Sequence, residues 1–189
     1  PVGMLLDRSP EMVAAVLGIL KAGGAVLPLD PGYPQERLAF MLQDAQVRVV
    51  ITRADLVRAP IETPCRTIHL DEEQAALARR PCTDCDAAVR SDNLACLIYT
   101  SGSTGRPKAV MVEHRGLCNF ALARVWPYQP RPGSRCLHSC SVSFDLSVGT
   151  IATVLCAGAT LELAPDELLP PGAPLVQFIR DRRITHLSA

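Results

Sequence analysis

Neither sign of charge is in excess in this sequence: lysine plus arginine and aspartate plus glutamate number 19 each. Without a net field there is no electrostatic ground for nucleic acid or an anionic membrane as the main partner. No apolar run is long enough to span a bilayer, and no basic start is followed by an apolar stretch and a cleavage site. The plain expectation is a cytoplasmic protein with no nucleic-acid and no membrane partner. A second CxxC pair is missing too. Cys82 and Cys85 form one in "PCTDCD", but a structural zinc site wants a matching pair, and the segment from Cys136 through His138 to Cys140 is a poor one. The remaining cysteines, Cys65, Cys96, Cys118 and Cys156, are scattered. Several of the eight lie in apolar runs, where a thiol packs as a small hydrophobe. Unpaired thiols in a reducing compartment are expected, and no metal site. Internal repeats and low-complexity segments are also absent.

What is present is a globular composition, 48% hydrophobic and 20% charged over 189 residues. That length suffices for one sizeable core or for a piece of something larger. The chain opens at Pro1 without a methionine and stops at Ala189 directly after "ITHLS", so both ends are expected to be cuts.

Ser9-Pro10-Glu11 reads as a helix start, with Ser9 capping and Pro10 at the first helical position. Met12, Val13, Val16, Leu17 and Leu20 follow at helical spacing, and Gly23-Gly24 end the helix. "AVLPLD" is a buried strand, "PGYP" a turn, and Leu38, Met41, Leu42 and Ala45 mark a second helix before the strand "VRVVIT". This alternation of strand and helix predicts an α/β fold with parallel strands and crossover helices. Between about Arg53 and Asp92 the pattern blurs around one short strand, "RTIHL". It then resumes with the strands "LACLIY" and "AVMVE", a helix over residues 114–126 and the strand "RCLHSC". A helix over 146–156, the strand "ATLELA", the helix "LVQFIRD" and the strand "ITHLS" complete it.

The segment "YTSGSTGRPKAV", Tyr99 to Val110, follows a buried strand, where α/β proteins place ligand-binding loops. Gly102 and Gly105 let the backbone approach an anion and turn its N–H groups inward. Thr100, Ser101, Ser103 and Thr104 offer hydroxyl donors, and Lys108 offers a mobile positive charge. The segment is no Walker A loop, because Pro107 precedes the lysine, Ala109 follows it and a strand comes next. The residues by themselves leave two readings open, a phosphate-binding loop and a polar surface turn.

The order of residues goes further. "YTSGSTGRPK" resembles the phosphate-loop signature of the adenylate-forming enzymes. "LKAGGAVLPLDPGYPQERLAFMLQDA", Leu20 to Ala45, is similar to an upstream segment of nonribosomal peptide synthetase adenylation domains. "SFDLSV", Ser143 to Val148, resembles their Phe-Asp-x-Ser motif. The resemblance runs through nearly the whole chain and implies the first part of an adenylation domain. The implied fold is mostly parallel sheets with helices on both faces, part of the large N-terminal domain, with the small C-terminal domain absent from residues 1–189.

The resemblance also implies an activity. Such a domain uses ATP and Mg2+ to join an amino-acid carboxylate to the α-phosphorus, releasing pyrophosphate. It then passes the aminoacyl group to a phosphopantetheine thiol on a separate carrier domain. By the same match, Thr100, Ser101, Gly102, Ser103, Thr104 and Gly105 would wrap the β- and γ-phosphates, with Lys108 adding charge. Asp145 would meet the substrate ammonium, which needs a carboxylate partner once desolvated. Read from the residues alone, Asp145 caps the helix that follows. Phe144, Leu146 and Gly149 fall at substrate-pocket positions of the family, Gly149 leaving space there. His114 is read as a packing residue, and His69, His138 and His186 show no ligand spacing.

Two departures qualify the resemblance. Ala109 stands where the family most often has glycine, and the later motifs for adenine, ribose and the catalytic lysine are not in this sequence. Residues 1–189 alone are therefore expected to be inactive, with carrier-protein and condensation domains of the same synthetase as partners. A stand-alone amino-acid or acyl ligase of the same superfamily is one alternative. A non-catalytic nucleotide-binding interaction module is the other.

Overall fold

The computed structural model describes residues 1–57, 64–101 and 106–188. The chain divides into two compact units, Pro1–His114 and Arg115–Ala189.

The first unit holds the strands β1 (Val2–Leu5), β2 (Val26–Leu29), β3 (Val49–Thr52), β4 (Arg66–His69), β5 (Leu94–Thr100) and β6 (Lys108–Glu113). They form one sheet in the order β4-β3-β1-β2-β5-β6. The pairs of β1 with β2 and β3, of β2 with β5 and of β3 with β4 are parallel. The pair β5–β6 is antiparallel. That exception has a simple cause: the connection from Thr100 to Lys108 is too short for a crossover of a dozen or more residues, so the chain turns back as a hairpin. A mostly parallel α/β sheet, as the alternation predicts, is what forms.

Helix α1 (Pro10–Lys21) connects β1 to β2, and α2 (Gln35–Asp44) connects β2 to β3. The two crossovers run in opposite directions across the sheet. Right-handed connections then put the two helices on opposite faces. On one face Leu38, Met41 and Leu42 of α2 pack with Leu5, Leu27, Leu29, Val50, Leu97 and Tyr99. On the other, α1 buries Met12, Ala15, Val16 and Ile19. Each large apolar side chain fully buried in this way contributes about 1.5–3 kcal/mol.

Both ends of α1 follow the sequence. Ser9 is extended and its side chain accepts a hydrogen bond from the Met12 N–H, 3.2 Å, with Pro10 as the first helical residue. After Ala22, Gly23 adopts φ +76°, a left-handed conformation that favours glycine. Its N–H donates to the Leu20 carbonyl at 3.1 Å, and the Gly24 N–H to the Ile19 carbonyl at 2.8 Å, which closes the helix. The apolar stripe differs from the sequence reading. Leu17 is 41% exposed, while Ala15 and Ile19 are buried. Positions 12, 15, 16 and 19 make one continuous face, and Val13, Leu17 and Leu20 border or leave it.

Between β4 and β5 lies a short helix, α3 (Gln74–Leu77), which the sequence reading missed. It buries no residue, so no apolar periodicity marks it. Cys82 and Cys85 are exposed in the loop that follows. Among the described residues, no group of three His, Cys, Asp or Glu side chains could hold a metal ion. None of the described helices is long and apolar enough to cross a membrane.

The second unit contains α4 (His114–Tyr128, from Arg115 on), β7 (Arg135–His138), α5 (Asp145–Cys156), β8 (Thr160–Leu163), α6 (Ala173–Asp181) and β9 (His186–Ser188). Its sheet has the order β8-β7-β9, with both pairs parallel. Again the crossovers α5 and α6 run in opposite directions, to either side of β7.

Removing the α1 cap tests this local logic. Ser9→Ala is expected to lower stability by about 1 kcal/mol in urea unfolding, and Ser9→Gly by only a few tenths. Equal losses in the two variants would mean that the Ser9 side chain is not what caps the helix.

Candidate functional site

The segment Tyr99 to Val110 includes the paired ends of β5 and β6. Strand β5 is buried from Ala95 to Tyr99, and exposure begins at Thr100. The register pairs Thr100 with Lys108 and Tyr99 with Ala109. Thr100 Oγ1 donates to the Lys108 carbonyl at 3.5 Å, so the two strand ends that flank the loop stand side by side. Thr100, Ser101, Arg106 and Lys108 are all exposed there. A hydroxyl pair and two cations at one hairpin end suit an anion. Gly102, Ser103, Thr104 and Gly105 lie outside the described residues.

Beneath these strand ends the hairpin is anchored. The Tyr99 hydroxyl donates to Asp44 Oδ2 at 2.6 Å and lies 3.4 Å from the Met41 carbonyl oxygen. Its ring meets Phe40 edge-on, centroids 6.3 Å apart. Burial, with the Asp44 carboxylate beside it, pushes the phenol well above its ordinary value of 10.0. Ala109 packs against the same apolar cluster.

The second group of candidates lies at the start of α5, in the second unit. Phe144 is extended and precedes the first helical residue, Asp145. Asp145 therefore does not occupy the capping position that its residue type suggests; Phe144 does. The Asp145 side chain lies outside the described part of the structure. Phe144 is 57% exposed, Leu146 is half-buried, and Ser147, Val148 and Gly149 are buried. The space expected at Gly149 is occupied: the ring edge of Phe120, from α4, lies against its α-carbon.

Sequence reasoning missed a pairing here. His138, at the end of β7, is fully buried, and its Nε2 lies 3.0 Å from Ser147 Oγ. This hydrogen bond ties the strand end to the first turn of α5. Nothing in the spacing of the two residues could have revealed it, because it depends on how β7 and α5 pack. His114 is half-buried, and its Nε2 is buried with no hydrogen-bond partner among the described residues. The Cys136 thiol is buried and pushed up by desolvation, which makes it a packing group rather than a nucleophile.

With these features in place, comparison with known proteins is informative. A family model described as "AMP-binding enzyme" matches residues 1–189. The chain belongs to the AMP-binding enzyme family. Within it, the chain is part of a nonribosomal peptide synthetase adenylation domain. It is 45% identical over 184 residues to a linear gramicidin synthase of Brevibacillus parabrevis, covering 97% of this chain and 2% of that protein. It is 43% identical over 189 residues to bacitracin synthase 3 of Bacillus licheniformis, 99% of this chain and 3% of that protein. The chain thus spans only a few hundredths of the length of these relatives. Among solved structures, the nonribosomal peptide synthetase FmoA3 in its AMPPNP-bound form superposes with a TM-score of 0.85 at 30% identity. That match covers 97% of this chain and 19% of FmoA3. The same protein bound to alpha-methyl-L-serine-AMP gives a TM-score of 0.83.

The anchor beneath the loop has a pH signature. Below the ordinary phenol value both folded and unfolded chains keep the tyrosine proton, and the Tyr99 bond contributes its full stability. As pH rises above that value the unfolded state releases the proton first, so the contribution falls and is lost on passing the raised folded value. Tyr99→Phe is expected to unfold more easily at neutral pH and to lose this component of the alkaline decline. Identical alkaline unfolding curves for parent and variant would show that the hydrogen bond to Asp44 does not hold the proton.

Proposed function

We propose that this chain is the phosphate-loop and amino-group-binding part of an amino-acid-activating domain. In this reading a carboxylate oxygen of the amino acid attacks the α-phosphorus of ATP. The bond to the bridging oxygen breaks, and pyrophosphate leaves. The aminoacyl group of the adenylate then passes to a phosphopantetheine thiol on a carrier domain, with release of AMP. The observation that carries the reading is the exposed pair Thr100 and Ser101 at the end of a buried strand, with Lys108 paired to Thr100 across the hairpin.

Thr100 to Gly105 would hold the β- and γ-phosphates, orienting pyrophosphate as leaving group and meeting its charge with fixed donors. Lys108 would add a positive charge from the exposed strand end. Anchoring through Tyr99 would hold the base of the hairpin in place beneath the phosphates. Mg2+ would arrive with ATP and neutralise charge on the phosphate oxygens. Asp145 would pair with the substrate ammonium, and Phe144, Leu146 and Gly149 would contribute to the pocket. Support for ATP and an aminoacyl-adenylate comes from FmoA3, whose solved forms hold AMPPNP and alpha-methyl-L-serine-AMP.

Residues 1–189 would form one part of the domain, inactive by themselves, because the adenine-, ribose- and carboxylate-handling motifs are not in this sequence. Carrier-protein and condensation domains of the same synthetase would be the partners, in a cytoplasmic assembly.

Two substitutions in the complete domain test the reading. Asp145→Ala should abolish amino-acid-dependent exchange of pyrophosphate into ATP while leaving unfolding nearly unchanged, since one carboxylate in a first helical turn is worth about 0.3–1 kcal/mol. Lys108→Ala should slow exchange by about tenfold, which corresponds to about 1.4 kcal/mol. Undiminished exchange in Asp145→Ala would remove that residue from the site, and with it the argument for an α-amino acid as substrate.

A further inference from the structure

Gly149 is buried in the second turn of α5, yet the room that a side chain would take there is not empty. A methyl built on its α-carbon would fall 2.8 Å from Cδ1 of Phe120, nearer still to Cε1, and 3.2 Å from Cζ. The separations to Cδ1 and Cε1 are shorter than real side-chain carbons adopt, so bulk at position 149 and the Phe120 ring in this position exclude one another. The Gly149 carbonyl accepts a hydrogen bond from Thr153 Oγ1 at 2.8 Å, which ties it into the helix. The guanidinium of Arg124 stands over the Phe120 ring, 5.3 Å from its centroid.

Helical spacing places positions 145, 146 and 149 on one face of α5. Phe120 meets that face at Gly149. We propose that Phe120 is a specificity-determining residue. Its ring supplies, from α4, the wall that Gly149 does not supply from α5, and it limits how far a substrate side chain can extend. The inference rests on the proposed placing of the amino acid against Asp145, Leu146 and Gly149. It narrows that proposal to a substrate class. Aromatic carbon from Phe120 and the aliphatic side chain of Leu146 make this wall apolar, so the accepted α-amino acid carries an apolar side chain of limited length.

The alternative role for Phe120 is packing α4 on α5 with no effect on selection. Ratios of activity between substrates separate the two, because a loss of stability lowers every rate together and leaves the ranking alone. The experiment is pyrophosphate exchange by the complete domain with alanine, valine, leucine, phenylalanine, tryptophan, serine and glutamine as probes. Phe120→Ala is expected to raise kcat/KM for the longer side chains, relative to the parent's preferred one, by at least about tenfold. That is the lower end of the scale on which one methylene of fit is read in an apolar pocket. Phe120→Leu, which keeps most of the packing, should shift the ranking in the same direction by less, and it carries the test if Phe120→Ala does not fold. Gly149→Ala added to Phe120→Ala refills the space and should return the ranking toward the parent's.

An unchanged ranking in every variant, with Asp145→Ala still abolishing exchange, would overturn this inference alone. Undiminished exchange in Asp145→Ala would overturn the reading beneath it. A shift toward polar rather than longer apolar side chains would refute the assigned substrate class.

Discussion

The first unit depends on burying a parallel sheet on both faces at once. Short parallel strands such as Val2–Leu5 and Val26–Leu29 cannot stand alone in water, and their continuous apolar runs leave no face for solvent. Helix α2 covers one face through Leu38, Met41 and Leu42, and α1 covers the other. Strand β5 is the part of this sheet that the loop inherits. It lies beside β2, its interior residues from Ala95 to Tyr99 are buried, and exposure begins where the hydroxyl-rich segment begins. The abrupt change from buried strand to exposed donors lets a rigid scaffold present a polar loop.

Tyr99 joins these two roles. As a core residue it packs with Leu97, Leu42 and Phe40. Its hydroxyl, which would otherwise be a buried polar group without a partner, reaches the Asp44 carboxylate at the end of α2. One side chain thus links the helix layer to the last buried position before the loop. Ala109, its partner in the hairpin register, sits against the same cluster.

In the second unit the comparable joint is β7 with α5. A fully buried histidine is tolerated because Ser147 satisfies one of its ring nitrogens. The hydrogen bond also fixes the first turn of α5, the turn that carries positions 145 and 146. One turn further on, glycine permits close approach by a neighbouring helix, and the Phe120 ring fills the opening. The shape of this face is therefore decided by α4 as much as by α5.

Much of this was legible in the residues. Alternating apolar runs and helical spacing determined the α/β class, and the Ser9-Pro10 start and Gly23-Gly24 stop determined the limits of α1, because caps act over three or four residues. The antiparallel pairing of β5 with β6 emerged only in the structure, although the link between "LACLIY" and "AVMVE" is too short for a crossover. The order "TSGSTGRPK", with "FDLS" downstream, carries the family resemblance on which the proposed phosphate and amino-group roles rest. Tertiary packing decided the rest. It chose Ala15 and Ile19 over Leu17 for the buried face of α1, seated Tyr99 on Asp44, paired His138 with Ser147 and placed Phe120 against Gly149. Each of these joins residues whose meeting depends on which strand lies beside which, and local propensity carries no information about that.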